Sequence, residues 1–490
     1  MTAFHYIDGQ LCPALGHSRP VFDPANLEEV GLWAEATEEE LERALKAAQR
    51  VRPQWASLDA KTRANYLHAC ASAIENGPLR DIAKTMTLEM GKPFPEAMGE
   101  LANVSGIFRY CAELARDEIG KVAGPIQSGS FQYSQASPYG LSLHIVPFNF
   151  PILLLSWTLA ASLAAGNVAL VKPAEPTTLC SWQFLELLGK VLPAGVVQGL
   201  AGGAGLGKQL VAHPAVSVVA FTGSVAGARS VAVACAEQLK PAILEAGGSD
   251  ALIVSRQADL EVAIAGSVTA AFHLSGQICT SAERFFVHTE VHDPFVRGLV
   301  EGARKLRIGH GLGQSEIGPL VSEAARAKVI RLVEAAQKAG AEVLCGGRCW
   351  GERGWFYEPT VLTGVRPDME IFHEEVFGPV ASICRVDSLA EAIGLANQSP
   401  FGLGASLFSN DLGEAFEFLE GIESGMAWVN NPLIDNDALP FGGWKQSGLG
   451  KALGREGLQA FRRQKMCVID AKPKRQGWWY PYPESEFYQA

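Results

Sequence analysis

Long hydrophobic runs are missing from this chain. The most apolar stretch, Ile152–Ala161, is preceded by Asn149 and Pro151 and soon followed by Gly166-Asn167. A bilayer-spanning helix needs about 20 such residues, so no membrane partner is expected. The first residues, Met1-Thr2-Ala3-Phe4-His5-Tyr6-Ile7, lack the basic-then-apolar order of a secretory leader, and none is expected. A surplus of positive charge is missing too: 41 Lys+Arg against 52 Asp+Glu give a formal charge of -11, with the basic residues scattered. A nucleic-acid partner needs a basic stripe and is not expected. Ten cysteines are spread along the chain, and the close pair Cys345/Cys349 has no second pair and no histidine cluster beside it. That pattern argues against a disulfide framework or a zinc site and fits reduced thiols in a cytoplasm with no bound metal. There is no internal repeat and no low-complexity linker.

What is present is 490 residues, 48% of them hydrophobic, which is enough for two or three domains. Thr37 followed by Glu38, Glu39 and Glu40 predicts a capped helix start. Helical periodicity then runs through Leu67, Ala71, Ile74, Ile82 and Met86 to about residue 118, predicting a helical shoulder with a structural role. Between Lys121 and Gly140, Gly, Pro and Ser with alternating Phe131 and Tyr133 predict a hairpin that leaves the main body. Two strands alone are marginal, so the hairpin is expected to rest on another subunit. From Leu141 to Gly247, apolar runs at 141–146, 168–171, 196–200, 218–221 and 242–244 alternate with helices starting near Pro151, Thr178, Gly205 and Ser224. This alternation predicts an α/β fold with a doubly wound parallel sheet and right-handed crossovers. A second α/β unit is expected from about Asp250 to Gly443, with strands at 251–254, 285–287 and 381–385 and helices at 262–274 and 325–339. Near the end, Trp478, Trp479, Tyr480 and Tyr482 with Pro481 and Pro483 are expected to pack on the body or on a neighbour.

Ligands of such sheets bind beyond the carboxyl ends of the strands. Asn149, Lys172, Gly223 and Glu245 each fall at or just after a strand end, and Cys279 follows in Gly276-Gln277-Ile278-Cys279. A cysteine nucleophile, a carboxylate base and an amide donor for an oxyanion are the parts of acyl transfer through a covalent intermediate. The plain alternative for Cys279 is a buried inert thiol. No Gly-x-Gly-x-x-Gly follows the first strand of the sheet; the glycines at 202, 203, 205 and 207 follow the third. Phe221-Thr222-Gly223-Ser224 ends a strand and opens a helix, whose N-terminal amides suit a pyrophosphate; the residues alone equally fit a serine cap with no ligand.

Six stretches, in this order, together resemble the aldehyde dehydrogenase superfamily over nearly the whole chain. They are Pro147-Phe148-Asn149-Phe150-Pro151, Val171-Lys172-Pro173-Ala174-Glu175, Phe221-Thr222-Gly223-Ser224, Leu244-Glu245-Ala246-Gly247-Gly248, Gly276-Gln277-Ile278-Cys279 and Glu374-Glu375-Val376-Phe377-Gly378-Pro379. The resemblance implies an NAD(P)-dependent, non-phosphorylating enzyme. It implies a dinucleotide-binding domain of residues 1–120 and 141–247 and a catalytic domain of 248–443. A small β oligomerisation arm with the tail, 121–140 and 464–490, would make a homodimer or homotetramer. Cys279 is implied as nucleophile, Glu245 as general base, and the Asn149 amide with the Cys279 N–H as oxyanion donors.

For the cofactor, the resemblance implies Lys172 and Glu175 at the adenosine ribose and the Gly223-Ser224 turn at the pyrophosphate. Glu375 and Phe377 are implied at the nicotinamide end, with Pro147, Phe148 and Gly247 also contributing. Read from the residues alone, Lys172 fits a solvated charge and Phe377 a core aromatic. One position departs from the family, which commonly has glycine where this chain has Ala228. A carboxylate at Glu175 would repel a 2′-phosphate, so NAD is expected over NADP.

The texture of Gly247-Gly248-Ser249-Asp250 and Phe441-Gly442-Gly443-Trp444-Lys445-Gln446-Ser447-Gly448 is similar to the succinate-semialdehyde branches. Carboxylate-specific members usually carry arginines where this chain has Trp157 and His273, and arginine is the side chain suited to clamp a carboxylate. Its absence implies an apolar or aromatic aldehyde lined by Phe150, Leu154, Trp157 and His273, each of which fits a core role equally well. The alternatives are a semialdehyde dehydrogenase, a reductive or phosphorylating acyl enzyme that would gain nothing from Glu245, and a catalytically silent binding protein on the same fold.

Overall fold

The computed structural model describes residues 2–117 and 119–481. Thr37 caps the helix Glu38–Ser57: its hydroxyl oxygen accepts from the Glu40 N–H at 3.3 Å while the Glu40 carboxylate accepts from the Thr37 N–H at 2.8 Å. This reciprocal pair satisfies two donors that the first turn leaves open. Helices Ala60–Glu75, Leu79–Met90 and Phe94–Ala115 complete the shoulder and pack against helices Leu153–Ala165 and Thr178–Gly189. Leu67, Ala71, Ile74, Ile82 and Met86, at helical spacing, are all buried.

Behind the shoulder lies an eight-stranded sheet. Its spatial order is Gln10–Pro13, Phe4–Ile7, Val197–Gly199, Val168–Lys172, Leu141–Ile145, Val218–Gly223, Ala242–Ala246 and Gly448–Leu449. The five central strands are parallel and both flanks are antiparallel. The chain leaves Leu141–Ile145 toward one edge and later returns to its other side at Val218–Gly223, so a crevice opens between the carboxyl ends of these two strands.

A second, seven-stranded sheet runs Glu342–Cys345, Thr360–Thr363, Val380–Val386, Ala282–His288, Asp250–Val254, Gly404–Phe408 and Met426–Val429. Only its first pair is antiparallel. The hairpin expected at 121–140 has a third strand: Arg462–Asp470 pairs along the whole of Ser130–Pro138, whose other side holds Val122–Ala123. Residues 464–470 are therefore a strand of the arm and not tail.

Trp478 and Trp479 are 67% and 44% exposed, so neither is buried in the chain's own cores. The two indoles meet edge to face at 6.0 Å. Tyr482 and Pro483 lie outside the described residues. All ten cysteines are free. Among the described residues no helix is long and apolar enough to cross a membrane, and no group of three or more His, Cys, Asp or Glu could hold a metal ion.

Candidate active site

Four separated segments converge on a cavity of about 340 Å³ whose walls include Asn149, Glu245, Cys279, Glu375 and Phe377. Glu245 stands near the end of Ala242–Ala246, level with Thr222 on the neighbouring strand. Asn149 follows Leu141–Ile145 and is buried; its Nδ2 donates to the Gln277 carbonyl at 2.9 Å, two residues before Cys279. The second amide hydrogen is left for the cavity.

The segment that delivers Cys279 is strained. Leu274, Ser275 and Gly276 are all left-handed, at φ 53°, 56° and 72°. For each of the two non-glycines this conformation costs on the order of 1 kcal/mol, and it persists only where surroundings over-determine it. Here they do. The Leu274 N–H donates to the Glu96 carboxylate at 3.2 Å, the Ser275 hydroxyl to the Gly318 carbonyl at 2.8 Å, and the Val321 N–H to the Gln277 side-chain oxygen at 2.9 Å. At Gly276 a Cβ would stand 2.1 Å from the Gly378 carbonyl oxygen, so only glycine fits.

The electrostatics keep both reactive groups protonated at rest. Burial pushes the Glu245 carboxyl up to about 8, with the Glu375 charge adding to it and the Cys279 and Thr222 side chains offsetting part. Neither Glu245 oxygen has a well-formed hydrogen bond among the described residues, as befits a group placed to receive a proton. Burial also holds the Cys279 thiol well above its ordinary value, and the charges of Glu245, Asp250 and Asp435 raise it further. The thiol is therefore neutral, and a thiol in that state needs a base or a nearby positive charge to become a reactive thiolate.

A second cavity of about 350 Å³ continues from the first across Ala174 and the Thr222-Gly223-Ser224 turn. Lys172, Glu175, Gly207, Lys208 and Phe221 line it. Ser224 does cap the helix Val225–Ala236, accepting from the Gly227 N–H at 3.2 Å, and Gly223, Ser224 and Gly227 line this second cavity. Ala228 packs as an ordinary buried helical residue, its N–H donating to the Ser224 carbonyl at 2.9 Å. Lys172 is buried with its ammonium donating to the Pro173 carbonyl at 3.1 Å; burial lowers its pKa while Glu175 and Glu35 oppose that. At the other end, the Phe377 ring meets Phe148 edge to face at 5.9 Å, and Pro147 joins Phe148 in the wall. Gly247 lies so close to Glu375 that a Cβ would come within 2.1 Å of Oε1, and the Gly248 N–H donates to that oxygen at 3.1 Å.

Of the residues expected around the substrate, Leu154 lines the main cavity, while Trp157 packs on Phe441 at 4.6 Å in a small cleft behind Glu245. Phe150 lies under the Lys92 ammonium at 4.1 Å, and His273 pairs with Glu96 at 3.1 Å; neither lines the main cavity. Sequence reasoning missed Lys328, which lines the cavity beside Glu375, and Glu283, whose buried carboxylate accepts from the Val376 and Phe377 N–H groups at 2.9 and 2.7 Å. The available signal for Glu283 was a carboxylate beside the apolar run Phe285–Val287 in the strand Ala282–His288; Lys328, on an amphipathic helix, gave none.

The aldehyde dehydrogenase family model matches residues 14–467. The chain belongs to this family. It is 35% identical over 488 residues to a chloroplastic aminoaldehyde dehydrogenase of Arabidopsis thaliana, covering 97% of each chain. It is 35% identical over 445 residues to succinate-semialdehyde dehydrogenase [NADP(+)] 1 of Mycobacterium bovis, covering 90% of this chain and 97% of that one. Among solved structures, betaine aldehyde dehydrogenase from Staphylococcus aureus in complex with NAD+ aligns with a TM-score of 0.94 at 30% identity, covering 98% of this chain and 97% of that one. This aldehyde dehydrogenase is thus an NAD(P)-dependent oxidoreductase of α/β fold.

Proposed function

We propose that this aldehyde dehydrogenase uses Cys279, Glu245 and Asn149 to oxidise an aldehyde to its carboxylic acid, with NAD as the preferred hydride acceptor. The convergence of these three side chains on one cavity supports the reading. Lys172 and Glu175 would hold the adenosine ribose, Gly223 and Ser224 the pyrophosphate, and Glu375 and Phe377 the nicotinamide end, with Pro147, Phe148 and Gly247 shaping the wall. The bound oxidised nucleotide supplies the hydride acceptor and a positive charge near the thiol.

Glu245 in its ionised form takes the thiol proton as the Cys279 sulfur bonds to the aldehyde carbon, and gives that proton up to solvent. The oxygen that gains the electron pair accepts from the Asn149 amide and from the Cys279 N–H, which has no other acceptor among the described residues. Such a donor is worth about 3 kcal/mol. Hydride departs from the tetrahedral carbon, the carbonyl re-forms, and Cys279 is left as a thioester. Water then loses a proton to the ionised Glu245 and attacks the carbonyl carbon; the C–S bond breaks, the proton passes from Glu245 to the departing Cys279 sulfur, and the acid is released.

Glu175 together with Glu35 makes the ribose end unfavourable for a 2′-phosphate, which supports NAD over NADP even though one relative is named for NADP(+). With no arginine at Trp157 or His273, the walls suit an apolar or aromatic aldehyde. A second reading has a specific observation behind it: the Asp435 carboxyl, exposed at the surface yet partly desolvated by its surroundings, acts on the Cys279 thiol, and two relatives are named for aminoaldehyde and betaine aldehyde. An acid there would favour a substrate with a distant positive charge. The deciding experiment follows absorbance at 340 nm with NAD or NADP and a panel of hexanal, benzaldehyde, a short ω-aminoaldehyde and succinate semialdehyde. Preference for hexanal or benzaldehyde supports the first reading and preference for the aminoaldehyde the second. Preference for succinate semialdehyde rejects both, and no turnover with any aldehyde rejects the proposed function.

A further inference from the structure

Glu96 and Glu100 lie one turn apart on the helix Phe94–Ala115, outside the catalytic cavity. Each carboxylate grips the backbone of a different active-site segment. Glu100 is buried; one of its oxygens accepts from the Ile152 N–H at 2.9 Å and the Leu153 N–H at 3.0 Å, and the other pairs with the buried Lys92 ammonium. These N–H groups open the helix Leu153–Ala165, just after Asn149, and would otherwise be left without acceptors. The Lys92 ammonium also sits 4.1 Å over the ring of Phe150, the residue next to Asn149. Glu96 accepts from the Leu274 N–H at 3.2 Å and pairs with His273 Nδ1 at 3.1 Å, where the left-handed run leading to Cys279 begins.

Four helical residues rise about 6 Å. One stiff rod therefore holds the segment carrying the oxyanion donor and the segment carrying the nucleophile at a set spacing, and the Asn149–Gln277 bond closes the third side. Bulk stability does not account for the arrangement. A buried ion pair gains little over apolar residues of the same volume, because desolvation offsets its attraction. What an apolar pair could not do is accept the N–H groups of residues 152 and 153.

We propose that Glu96 and Glu100 are positioning residues that set the distance between the Asn149 amide and the Cys279 sulfur, with Lys92 orienting Glu100. The proposal rests on the catalytic assignment of Asn149 and Cys279 given above. Its test is a double-mutant cycle on single-turnover NADH formation by the full-length enzyme, using wild type, Asn149→Ala, Glu100→Gln and the double variant. Glu100→Gln is expected to slow the single turnover by about 10- to 100-fold, the loss typical of a reacting group displaced by roughly 1 Å. Its Kd for NAD should stay within about twofold, because nucleotide binding does not use this rod. In the Asn149→Ala background the same change should cost less than about threefold, since the two act through one contact.

Fully additive losses overturn the proposal, and so does an unchanged rate in Glu100→Gln. An unchanged rate in Asn149→Ala overturns instead the assignment of the oxyanion donor, and the proposal falls with it. If Glu100→Gln does not fold, Lys92→Met/Glu100→Leu removes both buried charges together and should give a folded, NAD-binding, slow enzyme; a normal rate there overturns the proposal. Glu96→Gln, at a side chain still 13% exposed, carries the same cycle for the nucleophile segment.

Discussion

At neutral pH the Glu245 carboxyl and the Cys279 thiol both hold their protons, and burial is the first cause in each case. Where thioester hydrolysis limits turnover, kcat should therefore climb with pH by up to about tenfold per unit and level off above about 8, as the base form of Glu245 fills. Glu245→Gln should lose most of kcat and flatten that profile. Cys279→Ala should abolish oxidation with every aldehyde, and full turnover in that variant would refute the scheme. Stability runs the opposite way. The native carboxyl keeps its proton where the unfolded one ionises, so its contribution is whole below the ordinary carboxylate range and is lost as pH rises through about 8. Melting curves from pH 5 to pH 8 should show Glu245→Gln gaining on wild type as pH rises.

Single residues also mark how far sequence reading reaches. The order Gly-Gln-x-Cys occurs twice, and at Gly9-Gln10-Leu11-Cys12 it lies in the edge strand Gln10–Pro13, away from the main cavity. Glu245 and Asn149 single out Cys279; the short motif does not. Glu96 and Glu100 left no local trace because their partners are backbone amides 178 and 52 residues away.

Elements show a similar division. The five parallel strands of the first sheet were legible because each is a short apolar run and the first four are each followed by a helix. Its antiparallel flanks were not, since Gly448–Leu449 is only two residues long and carries no periodicity. Thr360–Thr363, Gly404–Phe408 and Met426–Val429 are likewise too brief to show an alternation, and they sit among glycines and loops. The shoulder was legible as helix but not as anchor. A third acid there, Glu89, accepts from the Leu179 and Cys180 N–H groups at 2.5 and 2.9 Å and so fixes the helix that follows Glu175. The left-handed turn before Cys279 gives a direct stability test. Gly276→Ala adds both a clash with the Gly378 carbonyl and backbone strain, and should destabilise the fold by about 2 kcal/mol or more in urea titrations.

The two large sheets are wired differently about their first strands: Leu141–Ile145 has two later parallel strands on each side, whereas Asp250–Val254 has four strands on one side and two on the other. Separate hydrophobic clusters serve them, one reaching from Tyr6 to Phe461 and two confined between Ala251 and Ile422. Scanning calorimetry should resolve more than one transition, with NAD moving the one that belongs to the first sheet more than the other. The three-stranded arm exposes Val122, Met466 and Val468, which supports a homodimer or homotetramer. A charge at one of these places, as in Val468→Asp, should lower the mass read by light scattering without unfolding either sheet. An unchanged mass would place the subunit contact elsewhere.

Trp478 and Trp479 stand in water beside that arm, and indole emission shifts to shorter wavelength when a ring leaves water. A neighbouring copy that covered them would announce itself by a blue shift on raising the protein concentration, absent from Trp478→Phe/Trp479→Phe. The pair is thus a built-in fluorophore for following how the subunits come together, with no label attached.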